Sequence, residues 1–70
     1  MQIILNGETK ALPDSSTAQQ LVELLGLADK RLAMEVNQEI VPRSTYDTHI
    51  LKEGDKVEIV HAIGGGSGLF

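Results

Sequence analysis

The sequence predicts an α+β fold: one mixed β-sheet covered on one face by a single helix. Three observations predict it. The opening and closing segments alternate apolar and polar residues, one stretch between them has helical period, and Asn6-Gly7 folds the opening segment back on itself.

Gln2 to Asn6 carries Ile3 and Leu5 on one face and Gln2 and Ile4 on the other, the period of a strand. Asn6-Gly7 predicts a type I′ turn, because both central positions of that turn need φ > 0. Glu8 to Leu12 is the return strand, and Pro13 ends it by removing a ladder donor. Asp14-Ser15-Ser16-Thr17 offers several N-cap oxygens. Ala18, Leu21, Val22 and Leu25 then fall at helical spacing, predicting a short amphipathic helix from Thr17 to about Leu25, with Gly26 placed for a left-handed C-cap. After the polar connector Asp29-Lys30-Arg31, Leu32, Met34 and Val36 alternate with Ala33 and Glu35 in a third strand. Asn37-Gln38 turns the chain into a short strand at Glu39-Ile40-Val41, stopped by Pro42. Arg43 to Thr48 is polar and irregular, Ile50-Leu51 returns to the core, and Glu53-Gly54-Asp55 is a turn. Lys56 to Ile63 is the longest β segment.

The order β-β-α-β-β-β fits a β-grasp, with the first and last strands parallel at the sheet centre; a split β-α-β fold needs a second helix that the sequence lacks. Leu21 and Leu25 are expected to pack on Ile3, Leu5, Val57 and Ile59. Ile4, Val60 and Ala62 then point outward, and the expectation is that they form one contiguous docking surface. The folded body is expected over residues 1–63, followed by a glycine-rich tail over 64–70.

A chain of 70 residues buries only about 60% of its unfolded surface, leaving little room for an internal active-site cavity. The absence of cysteine excludes disulfides and thiolate metal sites, so the apolar core alone must hold the fold. A formal charge of −4, scattered bases and only two aromatics, Tyr46 and Phe70, argue against nucleic-acid binding. The same acidic balance suits docking on basic partners. No charged stretch leading into an apolar one opens the chain and no apolar run approaches 18 residues, so a cytoplasmic protein without membrane association is expected.

No catalytic residue is expected. His49 and His61 have no Ser, Cys or paired carboxylate at a motif spacing, and a structural or partner-facing role is the simpler one. Glu53, Asp55 and Glu58 lack the ligand alternation of a calcium loop, so no metal site is expected. Arg43 reads as a surface charge and Tyr46 as a ring packed on the core edge. The informative feature is the end of the chain, where a β segment runs into Gly64-Gly65-Gly66. Glycines put no side chain in the way of a narrow channel and adopt almost any φ/ψ. Three of them reach roughly 10 Å when extended. Ser67-Gly68-Leu69-Phe70 follows.

Met1-Gln2-Ile3, Asn6-Gly7, the segment from Glu35 through Val-Asn-Gln-Glu-Ile-Val-Pro to Arg43, and the close from Glu53 through Ile-Val-His-Ala-Ile to Gly66 resemble the ThiS sulfur carriers of thiamin biosynthesis, ubiquitin-like β-grasp proteins. The resemblance covers Met1 to Gly66 and ends there, since carriers of that family stop at the diglycine. It implies a protein substrate rather than an enzyme. A ThiF-like adenylating enzyme, using ATP and magnesium, would activate the carboxylate of Gly66. A persulfide donor would convert it to a thiocarboxylate, and a ThiG-like thiazole synthase would take the sulfur. Gly64 and Gly65 would thread the partner's channel, and the carrier itself would bind no cofactor. Gly66 can serve only once residues 67–70 are removed, for instance by a trimming protease, because an internal amide has no free carboxylate. A carrier for another pathway (molybdopterin, cysteine or a thio-siderophore) and a ubiquitin-like interaction module with an inert tail are the competing functions. Molybdopterin carriers tend to approach the diglycine through a proline, which Ala62-Ile63-Gly64 lacks.

Overall fold

The computed structural model describes residues 1–61. Ala62, Gly64, Gly65 and Gly66 therefore lie outside the described residues, as does the end of the last predicted strand. The elements are β1 (Gln2–Leu5), β2 (Glu8–Ala11), α1 (Ala18–Leu24), β3 (Leu32–Val36), β4 (Glu39–Ile40), a 3₁₀ turn (Arg43–Thr45) and β5 (Lys56–His61). The sheet order is β2-β1-β5-β3-β4. β1 runs parallel to β5, and the other pairings are antiparallel. The two ends of the described chain thus meet at the middle of the sheet, as a β-grasp requires.

Local chemistry sets the connections. Asn6 and Gly7 take φ of 49° and 85°, and Asn37 and Gln38 take 52° and 70°, so both hairpins turn through the left-handed region. Thr17 and Gln20 form a reciprocal capping box at the start of α1. At its end Leu27 N–H donates to Val22 C=O and Gly26 N–H to Glu23 C=O, with Gly26 at φ 73°. Those two bonds make a Schellman motif and satisfy carbonyls that the helix leaves open.

α1 lies over one face of the sheet. Ile3, Leu21, Val22, Met34, Tyr46, Leu51 and Val57 are fully buried, with Leu5 and Leu25 partly buried against them. The expected facing of helix and strands is present. The segment after Pro42 is more ordered than its polar composition implies. Its carbonyls at Tyr46 and His49 accept the N–H groups of Gln19 and Ala18 from the first turn of α1. That docking draws Tyr46 to 2% exposure, deep in the core rather than at its edge. Among the described residues no helix is long and apolar enough to cross a membrane.

Candidate functional site

The outer sheet face and the far end of β5 are the places where the described residues could meet a partner. Ile4 and Val60 both point away from α1, as the alternation requires. They do not adjoin. Ile4 pairs with Lys56, and Val60 lies four positions further along β5, about 13 Å away at roughly 3.3 Å per residue, with Glu58 between. Val60 instead stands opposite Ala33, and an open depression of about 270 Å³ is lined by Ala33, Glu35, Ile40, Glu58 and Val60. Ile40, 65% exposed, is the largest apolar contribution to this area. Its place was readable in principle: the Asn37-Gln38 hairpin sets Ile40 opposite Glu35, hence on the outward face.

β5 is held at two points by asparagine side chains. Asn6 accepts from Ile59 N–H through Oδ1 (2.9 Å) and donates Nδ2 to Ile59 C=O (3.2 Å). The side-chain amide thereby takes the place of one more residue of β1, after the backbone has turned away at Gly7. At the other end Asn37 Oδ1 accepts from Lys56 N–H, and Asn37 N–H donates to Lys56 C=O. Asp55 accepts from Asn37 Nδ2 and from Lys52 N–H, while Glu53 accepts from Gln2 N–H. These acids tie backbone N–H groups of β1 and of the turn before β5 in addition to standing in the turn read from sequence.

Arg43 is likewise more than a surface charge. Its guanidinium donates to the carbonyls of Lys30 (2.9 Å) and Ala28 (2.5 Å) and lies 5.8 Å from the centre of the Tyr46 ring. It ties the connector after α1 to the 3₁₀ turn. Burial pushes the Tyr46 phenol above its ordinary range, and the Arg43 charge opposes that shift.

His61 is exposed at the end of β5, His49 is half-buried, and neither bonds another side chain among the described residues. No group of three or more His, Asp or Glu among the described residues is placed to hold a metal ion. Among the described residues the geometry presents a face and an anchored strand, with no nucleophile, base and orienting group converging on a point.

A model of the ThiS family matches residues 3–66. The chain belongs to the ThiS family. This ThiS-family chain is 33% identical over 66 residues to the sulfur carrier protein ThiS of Escherichia coli, covering 94% of itself and 100% of that protein. It is 43% identical over 67 residues to a thiazole synthase of Paramagnetospirillum magneticum, covering 96% of itself but only 21% of that protein. The ThiS-family chain therefore spans about a fifth of that longer relative's length. Its fold superimposes on the crystal structure of a thiamine biosynthesis protein (ThiS) from Geobacter metallireducens with a TM-score of 0.82 at 29% identity, covering 94% of this chain and 100% of that one.

Proposed function

We propose that this chain is a sulfur carrier for thiazole formation in thiamin biosynthesis, working through the carboxylate of Gly66 once residues 67–70 have been removed. The observation that carries the proposal is the family match over residues 3–66, which stops at that glycine. The fold supports it by anchoring the strand that leads toward the tail. Gly66 lies seven residues after Ile59, the position clamped by Asn6. A chain segment of that length reaches at most about 25 Å.

The chemistry asks little of the carrier itself. A Gly66 carboxylate oxygen attacks the α-phosphorus of ATP in a partner adenylating enzyme that also holds magnesium, and pyrophosphate leaves. Adenylation converts a poor acyl donor into one with AMP as leaving group; the outer sulfur of a persulfide donor then displaces AMP to give an acyl disulfide, and a thiol reduces its S–S bond to release the thiocarboxylate. The carrier's contribution is position, delivering an unhindered acyl end to successive partners. Thiazole synthase is the fitting acceptor, since a protein of that name carries a segment similar to this chain. Docking uses the outward face that includes Ile4 and Val60, with Ala62 next to it in sequence.

The peptide bond between Gly66 and Ser67 leaves no carboxylate at Gly66 to attack ATP, so trimming must come first. ATP–pyrophosphate exchange with a purified ThiF-type enzyme tests this. A form ending at Gly66 should support exchange and the full 70-residue chain should not. Equal exchange by both forms would place the reacting carboxylate elsewhere.

A further inference from the structure

Glu35 on β3 and Glu58 on β5 stand directly opposite each other on the outer face. Opposed side chains on neighbouring strands have Cβ atoms about 4.5–5.5 Å apart, and like charges so placed destabilise a sheet. Among the described residues neither carboxylate is in an ion pair; the one found joins the Met1 amine to Asp14. Lys56, two positions from Glu58 on the same face, bonds neither of them. Around this pair lie apolar groups: Ala33 and Val60 on one side, and Ile40 opposite Glu35 on the other. Glu58 is exposed and Glu35 half-buried, so the two like charges face each other at the solvent side of an open depression with apolar walls and offer a cation two carboxylates at once.

We propose that the Glu35–Glu58 pair is the recognition element of the docking face, and that it receives a guanidinium from the partner protein, with Ala33, Ile40 and Val60 closing over the stem of that arginine. The reasons are charge and shape. A guanidinium is planar, presents several N–H donors in a fixed fork, and can bond both carboxylates at once. Its alkyl stem needs apolar cover of the kind the depression provides. The net charge of −4 favours approach of a basic surface from any direction. The occupant is therefore a protein surface bearing an arginine within an apolar patch. This rests on the docking reading above, taking the adenylating enzyme as the partner, and deepens it by naming what that enzyme must present.

The test measures binding of the purified ThiF-type enzyme to the parent, Glu35→Gln/Glu58→Gln, Glu58→Lys and Val60→Asp proteins at low and high salt, together with the melting temperature of each. Both glutamate variants should melt at or above the parent temperature, Glu58→Lys highest because it sets opposite charges across the strands. Both should bind at least tenfold more weakly at low salt, and their affinity should depend less on salt than the parent's. A glutamate variant that binds within threefold of the parent, keeps the parent's salt dependence or melts below it overturns the proposal. If Val60→Asp still loses binding in that event, the docking face stands and only the arginine site falls. Unchanged binding by Val60→Asp removes the docking face itself, and the arginine site with it.

Discussion

Asn6 does two things that its place in the sequence announces unequally. Asn-Gly between apolar alternations marks a hairpin, and φ of 49° and 85° at Asn6 and Gly7 fulfils it. The pair of bonds to Ile59, 53 positions away, has no local pattern that could announce it. Glycine at position 6 keeps the turn geometry and deletes only the clamp. Asn6→Gly should therefore cost about 1–3 kcal/mol in urea titration, the penalty for leaving partly buried backbone groups unpaired. It should also speed hydrogen exchange at the Ile59 amide. An unchanged unfolding midpoint with unchanged exchange would mean that β5 is held at Ile59 by β3 alone. Arg43 was illegible for the same reason: its bonds to Ala28 and Lys30 span 15 and 13 positions. A lone arginine after a proline carries no sign of a carbonyl clamp.

The strands and the helix were legible because each carries its own period. α1 starts at the residue after Thr17 and ends one before Leu25, and the capping box and Gly26 fix both limits. The 3₁₀ turn at Arg43–Thr45 escaped detection since three polar residues display no period, and its order comes from carbonyls that cap α1. Burial of Tyr46 follows from that docking and not from its neighbours in sequence. Leu21 shows how much rests on the helix–sheet contact. It is fully buried on the face turned to β1 and β5, so Leu21→Ala should cost about 2–5 kcal/mol. That is a large share of what holds so small a domain. A loss below about 1 kcal/mol would mean that the helix can close the gap by shifting on the sheet.

Taken together, the described residues bury one sheet face under α1 and leave the other open. Alternation made the outward direction of Ile4 and Val60 legible. Their neighbours were not, because neighbours depend on the offset between strands. The register of β1 on β5 separates the two, while the register of β3 and β4 gathers Val60, Ala33 and Ile40. An aspartate at position 60 puts a third carboxylate beside Glu35 and Glu58 without touching the core. Val60→Asp should abolish adenylation by the partner enzyme while the circular-dichroism spectrum stays that of the parent and the melting temperature nearly so. Adenylation at the parent rate would make the outer face incidental. The account as a whole depends on which residue ends the working chain. Intact-mass spectrometry decides it, comparing the full chain with a form stopped at Gly66 after incubation with adenylating enzyme, ATP, magnesium, a persulfide donor and a thiol reductant. The account predicts that the truncated form alone gains the mass difference between sulfur and oxygen, with the change localised to Gly66. Sulfur gained at Phe70 of the full chain, or a truncated form that remains unchanged, would contradict it.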